Sequence, residues 1–143
     1  MRPKTPELTV DIIIELVDRA GRPIVLIERK YPPPGWALPG GFVDVGETVE
    51  NAARREALEE TSLVVQLRCL LSCYSEPSRD PRGHTVALVY IAEARGEPVA
   101  ADDAAHLVIH HLAEASPPLA FDHARILADY LHYRQTGERP EVA

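Results

Sequence analysis

Cysteine is scarce: Cys69 and Cys73 are the only two in 143 residues. Two cannot build a disulfide framework. No second pair exists to complete a zinc site, so both are expected to pack, on one face of a strand because they are four apart. Long apolar runs are also missing. None reaches the ~18 to 20 residues of a membrane span. The opening MRPKTPELTV has no extended apolar region ahead of a cleavage site, which argues against a secretory signal. Basic residues are outnumbered, 15 Lys plus Arg against 22 Asp plus Glu, for a net charge of -7. That excludes the broad basic footprint of a non-specific nucleic-acid binder, while leaving room for a small basic pocket. The expectation is a cytoplasmic protein with neither nucleic-acid nor membrane partners.

What is present is ordinary for a globular chain: 45% hydrophobic and 26% charged residues. The length predicts one domain over 1–143. Residues 8–17 and 24–29 are rich in β-branched side chains and read as strands, paired as a hairpin across DRAGRP. YPPPG cannot continue a ladder. WALPGG reads as a rigid bend ending in two glycines. Residues 48–61, TVENAARREALEET, predict a helix capped by the Thr48 hydroxyl. Strands follow at 63–74, 84–93 and 105–112. A last helix over 121–134 carries an apolar stripe of Ile126, Leu127, Tyr130 and Leu131. Strands with helices on both faces make a layered α/β or α+β domain.

The sharpest local feature is Glu56, Glu59 and Glu60. At about 100° per residue they share one narrow arc of the helix. Three carboxylates so placed repel each other. They suit a hard cation such as Mg²⁺ or Mn²⁺, or else a solvated acidic face. Gly40 and Gly41 permit a tight bend or a close approach to a ligand. Arg55 can hold a neighbouring carboxylate through its rigid fork, or lie on the surface.

From Gly41 to Leu63 the chain reads GFVDVGETVENAARREALEETSL. This resembles the motif of the Nudix hydrolases. Gly41, Glu47, Arg55, Glu56, Ala57, Glu59, Glu60 and Leu63 match, and Ser62 stands where the family has glycine. That position ends the helix, so serine costs backbone ease and removes no proposed ligand. The resemblance implies a mixed sheet sandwiched between helices and hydrolysis of a nucleoside diphosphate linked to another group. It implies Glu56 and Glu60 as main ligands of Mg²⁺ or Mn²⁺, with Glu59 a further ligand or a water-positioning group. The Gly40 carbonyl would join them, and Glu47 and Arg55 would brace the loop. It implies a general base from the helix or from a distant loop; Glu97, Asp102 and Asp103 are loop candidates, or plain solvated acids. It also allows a homodimer.

The stretch from Tyr74 to Tyr90 and the later FDHARI resemble the small ADP-ribose pyrophosphatases of the family. Arg79 and Arg82 then become phosphate contacts, with a surface loop as the alternative. His84 is a substrate contact or a hydrogen-bonded structural histidine. Arg29 touches a phosphate or lies at the sheet edge. Trp36 stacks on a base or packs in the core. The expected reaction is ADP-ribose to AMP and ribose 5-phosphate. The alternatives are hydrolysis of normal or oxidised nucleoside triphosphates, and a non-catalytic nucleotide-binding domain on the same scaffold.

Overall fold

The computed structural model describes residues 2–101 and 104–142. Among the described residues, seven strands form one mixed sheet with a helix on each face. β1 (Glu7–Leu16) is its axis. It pairs parallel with β6 (Thr85–Ala94) along its whole length, and β6 pairs antiparallel with β5 (Gln66–Tyr74). Ile12, Ile13 and Ile14 are fully buried, as a strand covered on both faces requires.

The other edge of β1 is divided. Near its start it receives β4 (Gly40–Phe42), in the register Thr9–Phe42 to Asp11–Gly40. Near its end it receives β2 (Ile24–Arg29), through the single pair Glu15–Ile24. The expected hairpin is therefore confined to its turn. β2 then leaves β1 to pair with β3 (Trp36–Ala37) and β7 (Ala104–His110). The bend expected at WALPGG is two short strands, β3 and β4, joined through Leu38 and Pro39, with the Pro39 carbonyl accepting from the Ile12 N–H. A cleft opens where β2 and β1 part.

Helix α1 (Val49–Thr61) covers one face of the sheet. The Thr48 hydroxyl accepts from the Asn51 N–H, as expected of the cap. Ala52, Ala53 and Ala57 are fully buried against Val10, Ile12 and Ile14; their small side chains let the helix axis approach β1. Ser62 takes a left-handed φ of 63° and donates its N–H to the Leu58 carbonyl. It fills the role of the family's glycine at some backbone cost. Helix α2 (His123–Thr136) covers the opposite face with Ile126, Leu127 and Tyr130. The layered α/β expectation is borne out.

Cys69 and Cys73 do not share a face. Register shifts in β5, between Leu67 and Cys69 and between Leu70 and Ser72, break the two-residue alternation. Cys69 lies half-buried beside the Tyr133 hydroxyl, and Cys73 is exposed. Trp36 packs against the core under α2. No described helix is long and apolar enough to cross a membrane.

Candidate active site

The cleft between β1 and β2 has a volume of about 330 Å³. Its acidic wall comes from α1 and the loop before it. Arg55 is the hub of that wall. Its fork grips Glu47 through Nε at 3.0 Å and Nη2 at 2.6 Å. Nη1 donates to Glu56 Oε1 at 2.9 Å, and Nη2 also donates to the Phe42 carbonyl at 3.1 Å. One guanidinium thus ties β4, the loop and the helix together. Hydrogen bonds from Arg55 and from the Asp44 N–H pull the Glu47 carboxyl down to about 2, because they favour its charged form.

Glu60 sits deeper, 8% exposed, and accepts the Gly40 N–H at 2.9 Å. Burial pushes its carboxyl up to about 8, and the charges of Glu56 and Asp11 push the same way. Both effects disfavour the ionised form. Burial also raises Glu56, against the pull of Arg55. A Cβ on Gly41 would stand 2.5 Å from the Glu56 carboxyl, and one on Gly40 would stand 2.4 Å from Asp11 Oδ1. Both glycines are thus set by close approach.

Glu59 does not join the cleft. It lies about 60° round the helix from Glu56, on the side away from Glu60. Its oxygens stand 3.4 Å from Arg55 Nη1, and its side chain is 56% exposed. Among the described residues, no three His, Cys, Asp or Glu side chains are already gathered as a closed metal site. The donor chemistry nevertheless fits a hard divalent cation. Buried Glu60 and half-buried Glu56 lie near Asp11, with the Arg55 guanidinium paired to Glu56, and a cation would offset the repulsion among the carboxylates.

The basic wall is assembled from separate segments. Arg29, at the end of β2, donates Nε to the Pro33 carbonyl at 2.8 Å. The proline run that ends the ladder thus also supplies an acceptor. Arg82 pairs with Asp80 through Nε and Nη2, while its backbone N–H donates to the same carboxylate and closes a local turn. Arg79 is a different kind of arginine. Its side chain is 4% exposed, Nε and Nη2 grip Asp122, and Nη1 donates to Thr85. It is a buried strut in the cleft wall, its guanidinium engaged by Asp122 and Thr85 where a phosphate contact was expected, and the surface-loop alternative does not hold.

Two expected residues stand apart. His84 is exposed and outside the main cleft, its Nε2 3.0 Å from the Ser75 carbonyl. Glu97 pairs with Arg19 beyond the far end of β1, away from the cleft. Asp102 and Asp103 lie outside the described residues. The loop before them reaches α1, where the Ala101 N–H donates to the Glu60 carbonyl.

Three residues were not anticipated. Asp11 is buried at the cleft floor; a lone acid inside an apolar strand was its signal. His123 is 2% exposed. Its Nδ1 accepts the Leu38 N–H, which turns Nε2 toward Asp11 Oδ2, 3.6 Å away. An accepting Nδ1 leaves the ring proton on Nε2. Phe121 lies against both Arg29 and Arg82. It opens the FDHARI stretch, whose resemblance gave it no role.

Residues 6–130 match the family described as NUDIX domain. The chain belongs to the Nudix family. This Nudix chain is 46% identical over 132 residues to an ADP-ribose pyrophosphatase from Methanocaldococcus jannaschii, covering 90% of the chain and 75% of that protein. Its fold matches the NUDIX domain of Shewanella oneidensis NrtR complexed with ADP-ribose, with a TM-score of 0.78 and 28% identity. That match covers 93% of this chain and 90% of the other. A bifunctional NMN adenylyltransferase/ADP-ribose pyrophosphatase from Francisella tularensis, complexed with AMP and Mn ion, matches with a TM-score of 0.77 at 28% identity. There the match covers 92% of this chain and 43% of the larger one.

Proposed function

We propose that this Nudix chain hydrolyses ADP-ribose to AMP and ribose 5-phosphate with Mg²⁺, Mn²⁺ substituting. The observation that carries the reading is one cleft with half-buried Glu56 and buried Glu60 on one wall and Arg29 and Arg82 on the other. A diphosphate bound between them carries negative charge to both walls. The arginines pair with it directly; the carboxylates need a cation in between. The similarity to the archaeal ADP-ribose pyrophosphatase over 90% of the chain supports this choice of diphosphate.

In this reading Glu56 and Glu60 hold the metal, with the Gly40 carbonyl beside them and Glu59 nearer solvent. When bound, the cation neutralises charge building on the diphosphate and acidifies a water. Glu47 and Arg55 fix the loop and helix, so the carboxylates need no reorganisation during the reaction. Arg29 and Arg82 orient the diphosphate, and Arg79 holds their wall. The general base is a carboxylate of α1 or one of Asp102 and Asp103. Residues 1–143 act as one domain in the cytoplasm, alone or as a homodimer.

The similarity to the ADP-ribose-bound domain of NrtR favours a second reading, an ADP-ribose sensor without turnover. A substrate panel with Mg²⁺, with and without chelator, separates the readings. Fastest AMP release from ADP-ribose, abolished by chelator, is expected. Fastest pyrophosphate release from a triphosphate would overturn the substrate. Binding without turnover of any substrate would support the sensor. Full activity in excess chelator would overturn the metal-dependent mechanism.

A further inference from the structure

Arg29 and Arg82 approach the same part of the cleft from different segments, although like charges repel. Burial and the nearby charge of Arg82 both hold the Arg29 guanidinium below its usual range. The Phe121 ring lies beside both. Its centroid is 4.7 Å from the Arg29 guanidinium carbon and 5.3 Å from that of Arg82. An aromatic face attracts a guanidinium through its quadrupole.

The backbone of Phe121 is unusual. Its φ is 55°, in the left-handed region that few non-glycine residues adopt. The two residues after it hold it there. Asp122 grips the buried Arg79 through both oxygens, and His123 accepts the Leu38 N–H while its ring lies 5.3 Å from that of Phe121. A strained residue fixed by its neighbours at a cleft is a pointer to function.

We propose that Phe121 is a positioning residue for the substrate diphosphate, its ring holding the Arg29 and Arg82 guanidiniums in place opposite the Glu56–Glu60 wall. Phe121 acts through the two arginines and needs no contact with the reacting atoms. This rests on the reading of the cleft as a diphosphate site.

The test uses Phe121→Leu, which keeps bulk but loses the ring face, with Phe121→Tyr as the rescue and Phe121→Ala as the severe case. Circular dichroism and melting check the fold. Binding of α,β-methylene ADP-ribose and of inorganic pyrophosphate is measured by calorimetry in Mg²⁺, alongside KM and kcat for ADP-ribose. Phe121→Leu is expected to weaken both ligands and raise KM about tenfold, with kcat within about twofold, and Phe121→Tyr to restore binding. In a background carrying Arg29→Met and Arg82→Met, Phe121→Leu should add nothing.

Unchanged binding in a folded Phe121→Leu variant overturns the proposal, as does a full additive loss in the arginine-free background. Weaker ADP-ribose binding with unchanged pyrophosphate binding also overturns it, because Phe121 would then touch the nucleoside. If the wild type ignores ADP-ribose but binds an α,β-methylene nucleoside triphosphate, the proposed substrate fails. The same comparison on that ligand then decides Phe121. If it binds no diphosphate-containing ligand, both readings fall.

Discussion

On the acidic side of the cleft, Glu47, Arg55, Glu56 and Glu60 come from one short loop and the helix that follows it. On the basic side, Arg29 comes from β2, Arg79 and Arg82 from the loop between β5 and β6, and Asp122 and Phe121 from the start of α2. Each wall nevertheless contains the same two kinds of group. One charge is saturated and holds the wall: Arg55 on Glu47, Arg79 on Asp122. Another is left incompletely matched: Glu60, buried on the Gly40 N–H near the charges of Glu56 and Asp11, and Arg29, with proline carbonyls. The saturated groups determine shape. The incompletely matched groups have electrostatic energy to gain from a ligand.

Substitution on each wall tests this division. The largest effect is expected at Glu60. Glu60→Gln should lower kcat at least about 100-fold with an intact fold, since it removes charge that acts on the transition state. Steady-state kinetics with circular dichroism checks this, and unchanged kcat would remove Glu60 from the chemistry.

Asp122→Ala should act on stability first. It strands the Arg79 guanidinium, whose side chain is 4% exposed. Breaking such a buried pair costs about 3 kcal/mol. Urea unfolding measures the loss; a change well under half that size would mean Arg79 is not a strut.

Arg82→Ala should raise KM for ADP-ribose about tenfold through a lost phosphate contact. Little stability should go with it, because the Arg82 side chain is 46% exposed and exposed ion pairs contribute little. Equal kinetics on every substrate would remove Arg82 from the site.

The smallest effect separates two glutamates of the same motif by pH, in metal-free protein. Glu60 rises from 4.5 to about 8 on folding, so its contribution is present below the unfolded value and is lost as pH rises through the folded one. Glu47 falls from 4.5 to about 2, so its contribution is present above the unfolded value and is lost as pH falls toward the folded one. Melting temperature against pH in chelator should therefore flatten on the alkaline side in Glu60→Gln and on the acid side in Glu47→Gln. Flattening on the same side in both would reject the contrast.

The acidic wall was legible in the sequence because helical geometry is local. Spacing along α1 puts Glu56 and Glu60 on one arc, and Thr48 caps the helix as its chemistry predicts. Even there, spacing alone did not separate Glu59, which only the direction of the cleft turns to solvent. The basic wall was legible only as a set of candidates. Residues 79–84 offered two arginines and a histidine of equal standing, and the structure placed them in three different surroundings. The expected single face for Cys69 and Cys73 failed for a related reason: bulges in β5 depend on its pairing with β6.

The layered class, the order of the five longer strands and two helices and the carboxylate helix were written in the chain, because periodicity, capping and turn chemistry act between near neighbours. Long-range packing settled the rest. It takes β2 away from β1 after one pair and so opens the cleft. It brings Asp11 and His123 together at the cleft floor, and it stands Phe121 beside two arginines. Those contacts join residues far apart in the chain, and no local preference of either partner specifies them.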